Sequence, residues 1–305
     1  MQRFIGIDGG GSNLRVVVTD EHMNELIRVK RGAVNPSAIG REQSAYLIQS
    51  AIQEALDSLN LKTVTGVGIG VAGASAVYAE AWLRETIETV LPDTFIAPAS
   101  DNEIALVGGA GKREGLLLLA GTGSVGFGMN TTGEKIQVGG WGYILGDEGS
   151  GFWIGLQALK TFIDYKDADR PYSPFVQQID TYLKAHDAKH LVEWVYVNQA
   201  NPVPVIARVA ELVLDCANDN DPEALAIVHE AVSAIVKLEK MLVNRLKLKS
   251  PSIIFAGGIL TSDNVMSRLL LQKLALTDIP HPKYEPVIGA ALLAKLCYAD
   301  TMSID

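Results

Sequence analysis

The sequence has few cysteines and no long apolar run. Cys216 and Cys297 lie far apart in a chain of 305 residues and form no CxxC pair. This spacing argues against a disulfide framework and against a zinc ribbon. Cysteine this sparse is typical of a reducing compartment, so we expect a cytoplasmic protein. No stretch approaches the roughly eighteen consecutive apolar residues of a membrane span, so we expect no membrane insertion.

Positive charge is also in short supply. Lysine and arginine number 26 against 35 aspartates and glutamates, which gives a formal net charge of −9. An acidic chain argues against a broad nucleic-acid surface, although backbone N–H groups can still hold phosphate. Hydrophobic residues make up 48% of the chain, which favours an ordered core. The amino-terminal residues enter an apolar run at once, so we expect no signal peptide.

Two stretches of similar pattern indicate two related halves. "RFIGIDGGGSNLRVVVTD" and "GLLLLAGTGSVGFGMN" each run an apolar strand into a glycine turn and out into a second strand. Gly9, Gly11 and Ser12 recur as Gly121, Gly123 and Ser124 at one constant offset. A third strand follows each pair, so the sequence predicts an antiparallel meander at the start of each half.

The rest of the chain predicts a mixed α/β protein. Apolar residues at helical spacing predict helices over 41–59 and around 76–90, and a mostly helical region over 150–249. Asp221-Pro222 is typical of a helix start, with an N-cap followed by a first-turn proline. "SIIFAGGIL" predicts a late strand, and "PVIGAALLAKLCY" predicts a closing helix.

The first candidate site is the turn from Asp8 to Asn13. Its glycines can adopt positive φ and let the backbone approach a ligand, so that successive N–H groups form an anion nest. Asp8 could hold Mg²⁺ through water. The turn leads into a strand and no Gly-Lys-Ser/Thr follows, which disfavours a Rossmann site and a Walker A loop. A tight hairpin with nothing bound is the alternative.

The second candidate is the matching turn, Gly121-Thr122-Gly123-Ser124. A lone glycine hairpin is weak evidence for a ligand, but two matching turns in one chain favour a common purpose. Two such loops facing each other across a cleft would clamp a phosphate group.

Three further segments could serve the site. Asp101 stands where a strand meets a helix, where it could act as a general base or, like Ser100, as an N-cap. The glycine-rich run 139–151 carries carboxylates that could accept hydrogen bonds from sugar hydroxyls, or it could be a domain connection. Glycines that follow "SIIFA" leave room for a flat base such as adenine.

These motifs together resemble a known family. In chain order, "GIDGGGSNLR", "LLLAGTGSVGFG", "GGWGYILGDEGSG", "IIFAGGI" and "PVIGAALLA" are similar to the N-acetylglucosamine kinase branch of the BadF/BadG-type ATPases, in the actin–hexokinase–chaperone superfamily. The resemblance implies two ribonuclease-H-like domains, each a mixed five-stranded sheet with flanking helices, and an ATP cleft between them. It implies domains at 1–112 and 113–286, with helix 287–300 packing back on the first domain.

The resemblance also implies a role for each motif residue. Asp101 matches the catalytic base, and Asp8 serves the Mg²⁺ ion. The implied contacts to ATP are Asp8, Gly9, Gly10, Gly11, Ser12, Asn13, Gly121, Thr122, Gly123, Ser124, Gly257 and Gly258. The implied contacts to the sugar are Asn35, Asp101, Gly140, Trp141 and Asp147.

The implied activity is transfer of phosphate from ATP to the 6-hydroxyl of an amino sugar, first N-acetylglucosamine and second glucosamine, by a protein that could form a homodimer. One alternative is an ATPase activator of a 2-hydroxyacyl-CoA dehydratase, which the positions of the two cysteines disfavour. A glucokinase of the repressor–kinase family is disfavoured because no cluster of Cys and His is present. A non-catalytic sugar sensor or a filament-forming relative would not need Asp101.

Overall fold

The amino-terminal strands form a five-stranded sheet in the order β3-β2-β1-β4-β5. The computed structural model describes residues 1–73, 79–184, 188–197 and 201–302. The strands of this first sheet are β1 (Arg3–Gly9), β2 (Leu14–Asp20), β3 (Glu25–Arg31), β4 (Gly66–Val71) and β5 (Phe95–Ala99). The first three are antiparallel, and β4 and β5 run parallel to β1. The predicted meander is confirmed.

Four helices accompany the first sheet: α1 (Pro36–Ile39), α2 (Arg41–Ser58), α3 (Ala79–Glu88) and α4 (Asp101–Ala110). The helix predicted over 41–59 is confirmed as α2, whose Ile48 and Ile52 are buried against β1 and β2. The helix predicted around 76–90 begins at Ala79, and residues 74–78 lie outside the described residues. The short α1 was not predicted.

The second sheet corrects the expectation of five strands in each half. Among the described residues it has four, β6 (Gly115–Ala120), β7 (Ser124–Met129), β8 (Lys135–Gly139) and β9 (Ile253–Ala256), in the order β8-β7-β6-β9. The segment that could continue it contains Pro280 and Pro282, which have no N–H for a ladder. Lys283 and Tyr284 instead donate their N–H groups to carbonyls at the end of α4, at 3.0 Å each.

The helices of the second half are mostly inserted between β8 and β9. They are α5 (Gly151–Asp167), α6 (Pro174–Leu183), α7 (Ala188–Val192), α8 (Pro202–Asn218) and α9 (Pro222–Leu246), then α10 (Gly258–Thr261), α11 (Val265–Lys273) and α12 (Pro286–Met302). A π-helical turn over Glu193–Val197 follows α7. Asp221 caps α9 as predicted, accepting the N–H groups of Glu223 and Ala224. Within the described ranges, no helix is both long and apolar enough to cross a membrane.

Helices α4 and α12 lie between the two sheets. α12 packs on β1 and β4, where a side chain at Gly6 or Gly68 would overlap its backbone. Leu106 of α4 packs on the other side among Leu117 and Phe127 of the second sheet. The closing helix therefore lies on the first sheet, and the division of the chain into domains at 112 and 286 stays a prediction.

Candidate functional site

Four of the predicted site segments follow the carboxyl ends of parallel strands. β1, β4 and β5 run parallel in the first sheet, and β6 and β9 run parallel in the second. The turn after Asp8 follows β1, Asp101 follows β5, the second glycine turn follows β6, and Gly257 follows β9. In open α/β sheets ligands bind at these ends, because loops and helix amino termini converge there.

The first glycine turn spans residues 10–13 and is open. The Gly10 N–H donates to the Asn13 carbonyl at 2.9 Å, and the Gly10 carbonyl accepts from the Val34 N–H at 3.0 Å. A Cβ placed on Gly11 would meet no atom within 4 Å. None of its glycines has φ in the left-handed region, so the sequence argument from positive φ does not apply to this turn. Because Gly11 has no side chain, the space in front of its backbone is open.

The second glycine turn is packed, not open. It has three residues, Gly121–Gly123, because Ala120 pairs with Ser124 across the hairpin, whereas Gly9 pairs with Leu14. By register Gly9 corresponds to Ala120 and Leu14 to Ser124, so the residue-by-residue match of the two turns is wrong by one position on the first strand and by two on the returning strand. Ser124 belongs to β7, where its hydroxyl donates to the Glu148 carbonyl at 2.9 Å.

The second turn also begins the next helix. The N–H groups of Gly151 and Phe152, in the first turn of α5, donate to the carbonyls of Gly121 and Thr122 at 2.8 and 3.2 Å. These bonds satisfy helix N–H groups that have no partner within the helix. The turn is thereby fixed to the start of α5.

Asp8 is a half-buried carboxylate at the end of β1. Arg15 stands directly opposite it in the β1–β2 hairpin, and its Nη1 lies 3.0 Å from Asp8 Oδ2. Burial raises the pKa of Asp8, the Arg15 charge works against that rise, and the charges of Asp101 and Glu285 add to it. The charges of two other carboxylates thus act on Asp8.

Asp8 could hold a magnesium ion that is also bound by the phosphates of a nucleotide. No group of three or more His, Cys, Asp or Glu side chains in the described part of the chain could hold a metal ion. Mg²⁺ often uses only one or two carboxylates and completes its shell with water and phosphate oxygens. Asp8 meets that requirement, whereas a metal held by protein groups alone would need more donors.

Asp101 is the first residue of α4 and is not its cap. Ser100 takes that role, because its hydroxyl accepts the Glu103 N–H at 3.1 Å. Asp101 Oδ1 accepts the N–H of the next residue, Asn102, at 3.0 Å. Ser100 is therefore the N-cap of α4, and the Asp101 carboxylate is not used for capping.

The glycine-rich run 139–151 folds as a loop with repeated left-handed backbone. Gly140 and Asp147 both have positive φ, at 71° and 65°. Trp141 is 67% exposed, whereas Asp147 is buried with Oδ1 3.3 Å from the Ser124 N–H. Burial raises the pKa of Asp147, and the Ser124 N–H works against that rise. The structure therefore brings Asp147 to the second glycine turn and leaves Trp141 facing solvent.

Asn35 and the late glycine pair complete the predicted set. Asn35 caps α1, with its Oδ1 accepting the Ser37 N–H at 2.9 Å. Gly257 has φ of 79°, and a Cβ there would overlap the Ala120 carbonyl. Gly258 faces open space, where a Cβ would meet nothing within 4 Å. The second of these glycines leaves the room that the sequence predicts for a base.

The sequence pattern of the BadF/BadG/BcrA/BcrD ATPase family matches residues 5–294. The chain belongs to this family. The match spans both sheets and every predicted site segment, so membership confirms the predicted family and an ATP-dependent enzyme. The individual residue roles stay predictions.

Proteins similar to this chain include sugar kinases. The chain is 28% identical to the N-acetylmuramic acid/N-acetylglucosamine kinase of Clostridium acetobutylicum, over 97% of this chain and 99% of that one. It is 26% identical to the N-acetyl-D-glucosamine kinase of Dictyostelium discoideum, over 95% of this chain and 97% of that one. The fold matches a Chromobacterium violaceum protein named provisionally as an N-acetylglucosamine kinase, with a TM-score of 0.71, 25% identity, and coverage of 96% and 99%.

Sequence reasoning missed two features of this ATPase. Arg15 contacts Asp8, and counting outward from the four-residue turn would have placed the two residues opposite each other. An ion pair between Glu103 and Lys135 joins α4 to β8 across the two halves. No local sequence signal marks that pair, because its members come from separate elements.

Proposed function

We propose that this protein transfers the γ-phosphoryl group of ATP to the 6-hydroxyl of an amino sugar, with N-acetylglucosamine as the first substrate. The observation that carries the proposal is the position of Asp101. Its carboxylate does not cap the helix that it begins, it follows the carboxyl end of β5, and its charge acts on Asp8. A phosphate-binding protein without acceptor chemistry would not need a second carboxylate there.

The reaction then follows from the positions of the groups. Asp101 accepts the proton of the sugar hydroxyl, and the hydroxyl oxygen forms a bond to the γ-phosphorus as the bond to the bridging oxygen of ADP breaks. The glycine turns offer backbone N–H groups to the phosphates, which suits phosphoryl transfer because it depends mainly on positioning and charge neutralisation. Mg²⁺ supplies further neutralisation when it is bound with ATP. Asp8 would hold it.

Four other residues are proposed to hold the sugar. Asn35 lies four residues after the end of β3, and Gly140 directly follows β8. Trp141 exposes an aromatic ring on which a sugar ring could stack. Asp147 could accept hydroxyl hydrogen bonds only on the side that faces away from Ser124. A homodimer in the cytoplasm is part of the same proposal.

The test is ADP release from Mg-ATP, measured without sugar and with N-acetylglucosamine, N-acetylmuramic acid, glucosamine, N-acetylmannosamine and glucose in separate reactions. We expect strong stimulation by N-acetylglucosamine and a sugar 6-phosphate as the product in mass spectrometry. The matched control is 6-deoxy-N-acetylglucosamine, which keeps the ring contacts and lacks the acceptor oxygen. It should inhibit the reaction and not accept phosphate.

Other outcomes would replace this proposal by a different one. Preference for N-acetylmuramic acid or glucosamine would keep the kinase and change its substrate. ADP release that is equal with and without every sugar would favour an ATPase activator, although Cys216 and Cys297 lie in α8 and α12. Phosphate transfer to the 6-deoxy sugar would exclude the 6-hydroxyl as the acceptor.

A further inference from the structure

The first turn of α4 contacts both halves of the molecule. On one side the charge of Asp101 acts on Asp8 at the end of β1. On the other side Asn102 Nδ2 lies 3.5 Å from Gln137 Oε1, and Glu103 is paired with Lys135. Gln137 and Lys135 both belong to β8. The proposed base therefore stands on a helical turn whose opposite side is attached to the second sheet.

The pair between Glu103 and Lys135 joins a buried carboxylate to the ammonium group of a side chain that is 40% exposed. The ammonium nitrogen lies 2.6 Å from Oε1 and 2.7 Å from Oε2, and the Glu103 side chain is only 4% exposed. Burial raises the pKa of Glu103, while the charges of Lys135 and Arg113 work against that rise and Glu80 adds to it. A buried carboxylate without its cation is strongly unfavourable, so the ammonium keeps Glu103 and hence α4 against β8.

Strand β8 links this pair to the glycine-rich loop. It is the edge strand of the second sheet and is hydrogen-bonded only to β7 among the described strands. Lys135 begins the strand, and Gly139 ends it where the 139–151 loop begins. A hydrogen-bonded strand is stiff over five residues. A shift of the strand at Lys135 would therefore move the loop that is proposed to contact the sugar.

We propose that Glu103 and Lys135 are positioning residues that hold Asp101 in register with the 139–151 loop. The inference rests on the proposed function, since it assigns Asp101 as the base and the loop as part of the sugar site. Neither residue is proposed to touch ATP or the sugar. Misplacement of reacting groups by about 1 Å can cost about 100-fold in rate, which is the scale of effect expected here.

The kinetic test uses Lys135→Met, with Lys135→Arg as the conservative variant. We expect Lys135→Met to lower kcat about 10- to 100-fold while the Kd of Mg-ATP changes less than about twofold, and Lys135→Arg to recover most of the rate. The matched control is Lys112→Met, which removes a lysine from an exposed pair with Glu114. The double variant Glu103→Gln/Lys135→Met should be no slower than Lys135→Met alone, because the two residues act as a unit.

A second measurement does not depend on sugar phosphorylation. The N–H groups of Glu103 and Ile104 donate to Ser100 at 3.1 Å each, and they report whether the first turn of α4 is ordered. In Lys135→Met we expect faster hydrogen exchange at these amides and along β8, with exchange unchanged in α2, which packs on the first sheet. Circular dichroism and the unfolding temperature identify a variant that fails to fold.

The two measurements separate the inference from the proposed function. If the wild-type protein phosphorylates no sugar, the proposed function fails, and hydrogen exchange alone decides whether the pair orders the turn. Unchanged exchange at Glu103, Ile104 and β8 in Lys135→Met would overturn the inference. So would a kcat within about twofold of the wild type in an active protein, or a rate for Lys135→Arg as low as that for Lys135→Met.

Discussion

The two glycine turns look alike in sequence and differ in their surroundings. The first turn, 10–13, has open space before Gly11 and a charged pair, Asp8 and Arg15, behind it. The second turn, Gly121–Gly123, donates and accepts within a packed region, with its carbonyls fixed to α5 and Gly123 pressed on Asp147. The backbone of the first turn is accessible at Gly11, whereas the second turn is hydrogen-bonded to the start of α5.

The two halves differ in the groups that they place at these turns. The first half supplies charge at strand ends, through Asp8, Arg15 and Asp101. The second half supplies backbone held rigidly in place, through the turn and Gly257. Substitutions in the first half should therefore change chemistry more than stability, and those in the second half should change stability as well as binding. Each of the following variants tests one side of that contrast.

Asp101→Asn should have the largest effect on activity. An amide cannot accept the proton of the attacking hydroxyl, and loss of a general base costs about 10²- to 10⁴-fold in kcat. The unfolding temperature and the Kd of Mg-ATP should stay near wild type, because Ser100 already caps α4. Asp93→Asn, at an exposed position of the same half, is the control. Turnover equal to wild type would remove Asp101 as the base.

Gly257→Ala should be the most destabilising of the glycine changes. The residue has φ of 79°, which costs about 1–2 kcal/mol for alanine, and the new methyl would overlap the Ala120 carbonyl. We expect a loss of about 2–4 kcal/mol in the free energy of unfolding, measured by urea denaturation. The neighbouring Gly258→Ala meets open space and should leave stability unchanged. Equal stability of the two variants would contradict the account of the second half.

Gly123→Ala and Gly11→Ala compare the two turns directly. A Cβ at Gly123 would lie 2.9 Å from Asp147 Oδ2, so we expect a loss of about 1–3 kcal/mol in the free energy of unfolding. Gly11→Ala should cost less than about 0.5 kcal/mol and still weaken Mg-ATP binding, since the methyl enters the space left for phosphate. Normal ATP affinity in Gly11→Ala would show that the first turn does not hold the nucleotide.

The sequence predicted the elements of the fold better than their spatial relations. The strand–turn–strand pattern, the long α2, and the Asp221 cap of α9 follow from local periodicity and capping chemistry, which act over a few residues. No fifth strand joins the second sheet within the described residues, because Pro280 and Pro282 lack N–H donors and the residues after them hydrogen-bond to α4 instead. That outcome depends on a competing partner far away in the chain.

The candidate site shows the same limit. Glycine turns, Asp8 and Asp101 could be identified from motifs at strand ends, and the structure places each of them at such an end. Burial of Asp147 against Ser124 and the pairing of Glu103 with Lys135 depend on how separate elements pack. Sequence spacing carries no information about those contacts. Arg15 is an intermediate case, because the hairpin register alone places it opposite Asp8.

Arg15→Gln should have the smallest effect, a shift in the pH dependence of Mg-ATP binding. Burial raises the pKa of Asp8, and the Arg15 charge holds it down, so removal of Arg15 should raise that pKa further. Binding that requires the Asp8 carboxylate is lost as pH falls through its pKa. The acidic limb of the binding profile should therefore move to higher pH in the variant.

The measurement is the Kd of Mg-ATP between about pH 4.5 and 8, in the Asp101→Asn background. That background removes the Asp101 charge that acts on Asp8, and it leaves Glu285, whose pKa is lowered chiefly by its hydrogen bond with Arg28. Lys30→Gln is the control, since Lys30 is an exposed residue of β3 that lies opposite Arg15 in the strand register. An acidic limb that stays in place in Arg15→Gln would mean that Asp8 does not control nucleotide binding. The charged groups beside the first turn would then have no demonstrated part in nucleotide binding, and only the difference in packing between the two turns would remain.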